Sequence, residues 1–146
     1  MTLRRLDNVL IVVDDIDGAI AFFEELGMEL EGRTTVQGDS VDRVVGLSGV
    51  KSEIALLRTP DGHGRIELTK FIHPMAVSAE PSPPPPNVRG IGRIMFNVDA
   101  IDEVVARLRG HGAALVGEVV QYEDTYRLCY LRTPEGFIIG LAEDLS

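Results

Sequence analysis

Two stretches of the chain carry the same succession of apolar and polar positions. Laying residues 8–32 over residues 93–117, an offset of 85 with no gap, matches Val13 with Val98, Asp14 with Asp99, Ile16 with Ile101 and Asp17 with Asp102. The same alignment matches Ala21 with Ala106, Gly27 with Gly112, Leu30 with Leu115 and Gly32 with Gly117. Each copy begins as a short apolar strand, turns through an Asp-rich segment in which Asp17 or Asp102 is the expected N-cap, and continues into a helix of roughly 10 residues. Gly27 and Gly112 are placed to stop those helices, because only glycine enters the left-handed region at no steric cost.

A second shared segment follows. Leu57-Arg58-Thr59-Pro60-Asp61-Gly62 recurs as Leu131-Arg132-Thr133-Pro134-Glu135-Gly136. Proline fixes φ and glycine supplies a positive one, so each segment predicts a tight turn joining two strands. Beyond the turn, Ile66-Glu67-Leu68 answers Ile139-Gly140-Leu141 if the first copy has one extra residue. Two matches in the same order predict a duplicated unit. Residues 74–89 hold six of the eight prolines, including Pro83-Pro84-Pro85-Pro86, which predicts an extended linker. The expected organisation is one duplicated domain over 1–146, with a first module at 6–73, a linker at 74–89 and a second module at 90–146. The modules could pair within one chain or across a dimer.

Charge and cysteine content narrow the chemistry. Fourteen basic residues against twenty-three acidic ones give a net charge of −9, which disfavours nucleic acid and anionic lipid as partners. Tryptophan is absent, which weakens base stacking further. No apolar run approaches the roughly 20 residues of a membrane span. The basic start Met1-Thr2-Leu3-Arg4-Arg5-Leu6 lacks the small-residue cleavage site of a secretory signal, so the expectation is a soluble, cytoplasmic protein. Cys129 is the only cysteine; an intrachain disulfide is impossible and any metal would depend on His, Asp or Glu. Cys129, between Leu128 and Tyr130, reads as a small core residue. Phe22 and Phe23 on the first helix read as packing against the sheet.

The stretches Leu6-Asp7-Asn8-Val9-Leu10-Ile11-Val12-Val13-Asp14-Asp15-Ile16-Asp17 and Ala21-Phe22-Phe23, with the hairpin leading to Ile66-Glu67-Leu68, resemble the vicinal-oxygen-chelate superfamily of glyoxalases, bleomycin-resistance proteins and extradiol dioxygenases. The resemblance spans Leu6 to Leu145 apart from the linker. It implies an α+β fold of two βαβββ modules forming an incomplete mixed β-barrel around a ligand. Metal-dependent members commonly place a His on the first strand and a Glu on the last strand of each module. Carried onto this chain, those positions fall on Asn8 and Glu67 in the first module and on Arg93 and Gly140 in the second. Only Glu67 matches a usual ligand, since Asn offers a neutral carbonyl, Gly no side chain and Arg a fixed positive charge. The expectation is therefore no metal cofactor.

Arg93 could stand in for the lost cation beside Glu67, either as one half of a structural ion pair or as the anchor of an anionic ligand. Glu67, in an apolar strand, could serve as a general base or simply pair with Arg93 or Arg65. His73 is a remote candidate for a rearranged metal site, while His63 in a loop and His111 at a helix end read as structural. In relatives the strands after the second helix wall the pocket, which implicates Tyr122, Tyr126 and Arg127. Strand alternation lets only part of that set face one side.

The reading that fits best is a homodimeric protein binding a small organic ligand without the usual metal. The alternative is a lyase, isomerase or dioxygenase of the same superfamily, metal-free with Glu67 as base or with a rearranged metal site. A module acting only through its surface is the third reading.

Overall fold

In the computed structural model, which describes residues 2–146 and so leaves Met1 outside, the first apolar run forms strand β1 (Val9–Val12). It leads into helix α1 (Ile16–Leu26) and strand β2 (Glu29–Gln37), then a short helix α2 (Asp39–Val45) and the hairpin strands β3 (Lys51–Arg58) and β4 (Arg65–His73). The second copy gives β5 (Ile94–Asn97), α3 (Ile101–Gly110), β6 (Ala114–Leu115), β7 (Val120–Tyr122), β8 (Tyr126–Arg132) and β9 (Ile138–Asp144). The chain divides into two compact units, one running to Val77 and one from Ser78. No helix among the described residues is long and apolar enough to cross a membrane.

Each unit is one mixed sheet with one long helix packed on it. The strand orders are β1-β4-β3-β2 and β5-β9-β8-β6, with β7 also on β8, and in both sheets the first strand runs parallel to the last. This is the α+β architecture that the resemblance implies. The duplication reaches the register: Leu30 faces Leu57 in the first sheet, and their counterparts Leu115 and Leu131 face each other in the second. β6 and β7 lie successively along β8, so they are two pieces of the strand that β2 forms unbroken.

The turns follow from their residues. Gly62 and Gly136 have φ of 78° and 101°, and their N–H groups donate to Thr59 and Thr133 carbonyls at 2.8 and 2.9 Å. Thr59 N–H closes on Gly64, whereas Thr133 N–H closes on Phe137, which accounts for the extra residue in the first copy. The helix starts differ from expectation. α1 is capped by Asp15, whose carboxylate accepts from Gly18 N–H at 3.0 Å, and α3 has Ala100 at that position with no side-chain cap. Glu143 reaches from β9 and accepts the Ile101 N–H at 2.7 Å instead. Asp17 and Asp102 sit one residue inside their helices, because Ile16 and Ile101 must point into the core, and each carboxylate binds an arginine, Arg33 and Arg127.

α2 was not legible in the sequence. Its seven residues bury nothing, too short a stretch for an amphipathic stripe to show. Its Asp42 carboxylate accepts from the Gly49 and Val50 N–H groups at 2.9 and 2.8 Å and so ties down the loop into β3.

Both cores lie between helix and sheet. Phe22 and Phe23 of α1 are buried over Ala55, Leu57, Ile66 and Leu68, and Val104, Val105 and Leu108 of α3 over Cys129, Leu131, Ile139 and Leu141. Cys129 is thus a core residue, and burial pushes its thiol above the ordinary range. A folded thiol held above its unfolded value contributes stability below the unfolded pKa and loses it as pH rises toward the folded one. We expect a disulfide reagent at mildly alkaline pH to leave Cys129 intact in the folded protein and to modify it fully in denaturant. Modification of the folded protein at the rate of a free thiol would contradict this burial.

Candidate functional site

Side chains alternate along a strand, so the register assigns every residue to the helix face or to the opposite, helix-free face. In the first sheet the pairs Val9–Ile66 and Ile11–Leu68 belong to the core. Leu10 therefore stands opposite Glu67 on the helix-free face, with Leu56 on the other side of Glu67 and Ile54 beside Thr69. Leu10 and Val12 are 49% and 46% exposed, Glu67 is half-buried, and the Thr69 hydroxyl donates to its carboxylate at 3.3 Å. On this face Glu67 is flanked by the apolar Leu10 and Leu56, while Arg58 and Arg65 toward the hairpin pair with Glu29 and Glu31. Arg65, an expected partner of Glu67, is taken by Glu31 at 2.8 Å, which holds its guanidinium pKa above the ordinary value.

Asn8 precedes β1 and is exposed. It shares Leu10's parity and lies two residues before the residue that pairs with Glu67, as Arg93 does relative to Gly140 in the second sheet. His73 donates from Nδ1 to the Gly49 carbonyl at 2.8 Å and lines a cavity of about 470 Å³ with Gln37, Asp42 and Lys51, at the far end of β4. That ring anchors the loop after α2. His63 is exposed in its turn, and His111 is the C-cap of α3.

In the second sheet the helix-free face carries Met95, Gly140 and Tyr130, matched across three strands. A Cβ at Gly140 would lie 2.7 Å from Met95 Sδ and 3.3 Å from Arg93 Cδ. Met95 and the Arg93 stem thus occupy the space that a ligand side chain at 140 would need. Arg93 Nε donates to the Tyr130 hydroxyl at 2.7 Å, and its guanidinium carbon sits 5.4 Å from the Tyr130 ring centroid. The planar cation is thereby oriented by a hydrogen bond and a cation–π contact. Among the described residues of its own unit, the guanidinium has no recorded acidic partner.

Tyr126 and Tyr130 share strand parity, and Tyr122 pairs with Tyr126 across β7 and β8. All three tyrosines of the chain therefore stand on one face. Tyr122 and Tyr126 stack with centroids 5.0 Å apart at 26°, and Tyr122 is 47% exposed. Arg127 has the other parity and does not join them. It lies on the helix face, where Asp102 takes its guanidinium at 2.8 Å; that bond lowers the Asp102 pKa and raises that of Arg127. Arg127 is a helix-to-sheet tie and leaves the expected ligand set.

Sequence reasoning missed Met95, Tyr130, Leu10 and Thr69. Parity alone could have found Tyr130, four residues after Tyr126 on one strand, and Met95, two after Arg93.

A divalent metal at the inherited positions would need several imidazole or carboxylate donors. Asn8, Glu67, Arg93 and Gly140 supply one carboxylate, one amide, one cation and no side chain, and the space at Gly140 is filled. Among the described residues no three His, Cys, Asp or Glu side chains are grouped to hold a metal. The residues present do not fit the metal of the superfamily at these positions.

Comparison with known proteins gives a consistent result. Over its whole length the chain is 54% identical to a glyoxalase family protein from Bacillus cereus, covering 97% of that chain with a TM-score of 0.94. A glyoxalase/dioxygenase from Nostoc punctiforme shares the fold at 22% identity and a TM-score of 0.69, with 99% of this chain and 94% of that one covered. An antibiotic-binding protein from Streptomyces shares it at 21% identity and a TM-score of 0.58, with 99% and 98% covered. Among curated proteins there is no match. The family model for the Glyoxalase/Bleomycin resistance protein/Dioxygenase superfamily matches residues 5–141, and with both sheets, both long helices and the duplicated hairpins in place, the chain belongs to that superfamily.

Proposed function

We propose that this superfamily member binds a small organic anion without a metal cofactor, using the helix-free face of the second sheet. The observation that carries the reading is Arg93, oriented by Tyr130 on a face that also gathers Tyr122 and Tyr126. A guanidinium whose Nε is already engaged still presents its two terminal nitrogens, a fork suited to a carboxylate or another oxoanion. The aromatic surface beside it supplies apolar contact area, as ligand sites generally do.

The test is direct because the chain has no tryptophan and all three tyrosines stand on this face. Titration with aromatic carboxylates is expected to change tyrosine fluorescence saturably, and to do so equally with a strong chelator present. Loss of the response in chelator would restore a metal to the site, and no response to any oxoanion would end the reading.

Glu67 favours a second reading, a metal-free lyase or isomerase, because its half-buried carboxylate stands between Leu10 and Leu56 with the Thr69 hydroxyl donating to it. Deuterium entering a bound ligand from heavy water, and failing to enter with Glu67→Gln, would select it. A cytoplasmic location and a homodimeric state belong to the same proposal, and the dimer rests on the exposed apolar Leu10 and Val12. Sedimentation at the 15.9 kDa monomer mass would remove the dimer.

A further inference from the structure

The second sheet carries two recognition elements at different points along one strand, and their separation is set by the backbone. Tyr130 and Tyr126 stand on the same face of β8, four residues apart. At about 3.3 Å per residue this is a span of roughly 13 Å. Arg93 is fastened at the Tyr130 end by its Nε bond, and the Tyr122–Tyr126 stack stands at the other. Between them the same face offers Leu128 and its cross-strand partner Val120, which is 42% exposed.

The two ends also differ in charge. Asp144 lies opposite Tyr126 and accepts from Asn97 Nδ2 at 3.3 Å, and the β7–β8 turn holds Glu123 and Asp124. An anion is repelled at the tyrosine stack and attracted at Arg93.

The geometry points to an elongated ligand with a carboxylate or similar oxoanion at one end, an apolar middle and a planar ring at the other. The oxoanion takes the terminal nitrogens of Arg93, the middle lies over Leu128 and Val120, and the ring packs against the exposed side of the tyrosine stack. Strand β8 acts as the ruler between them. This inference rests on the anion-binding reading above and adds a length and a polarity to it.

A homologous series of ω-phenylalkanoates, from phenylacetate to phenyldecanoate, tests it by calorimetry on the full chain, with straight-chain alkanoates of matching length as controls. Affinity is expected to peak at an intermediate phenylalkanoate, at least about tenfold above phenylacetate and above the alkanoate of equal length. Tyr126→Ala is expected to abolish the preference for the phenyl end while binding still depends on Arg93, and Tyr126→Phe to keep it. Affinity rising without a maximum, with alkanoates binding equally well, would overturn the ruler and leave the anion site standing. If no member binds in an Arg93-dependent way, the anion site itself fails, and the ruler with it.

Discussion

Replacing Phe23 with alanine is expected to destabilise the protein by about 3–5 kcal/mol, the usual cost of removing a buried aromatic ring when its surroundings cannot collapse into the space. Phe23 has no exposed surface, and its ring makes an edge-on contact with Phe22 at 5.4 Å between centroids. It stands between α1 and the centre of the first sheet. The duplication supplies an internal comparison: the residue 85 positions later is Leu108, also without exposed surface, on α3 over the second sheet. Leu108→Ala is expected to cost about 2–5 kcal/mol for the same reason. Chemical denaturation followed by far-ultraviolet circular dichroism measures both. A loss below about 1 kcal/mol at either position would mean that the helix is not seated on its sheet as described.

The second large effect concerns binding. Arg93→Ala is expected to weaken aromatic carboxylate binding by about 10- to 100-fold, in line with the roughly 1.5–3 kcal/mol carried by hydrogen bonds to a charged group. Arg93→Lys should recover little of this, because an ammonium offers neither the planar fork nor the same stacking on Tyr130. Arg93 is exposed and, among the described residues of its unit, has no recorded ion pair, so the fold should lose little by the change. Unaltered affinity in Arg93→Ala, at unaltered melting temperature, would remove Arg93 from the site. Arg127→Ala serves as the contrast, since its guanidinium is held by Asp102 on the helix face and its loss should leave affinity unchanged.

How much of this was readable beforehand differs between fold and site. Strand and helix order, glycine stops and hairpin turns are written in local chemistry: apolar runs, left-handed glycines and Pro-acid-Gly turns act within a few residues. The split of one strand into β6 and β7 and the presence of α2 were not readable, because short exposed elements leave almost no periodic trace. Among the candidate residues, Glu67 on the first sheet and Gly140, Arg93, Tyr122 and Tyr126 on the second are named by the repeat and the family pattern. Arg127 illustrates the limit. Which face its side chain takes follows from pairing register, which depends on contacts between distant segments.

The sequence by itself determined the duplication, the α+β class and the superfamily, because these depend on residue identity and spacing along the chain. The tertiary structure alone decided which side chains meet: that Met95 fills the space over Gly140, that Tyr130 orients Arg93, that the three tyrosines share a face and that Arg127 turns to Asp102. Strand pairing sets those meetings, and a shift of one residue in register would send each of these side chains to the opposite face of its sheet.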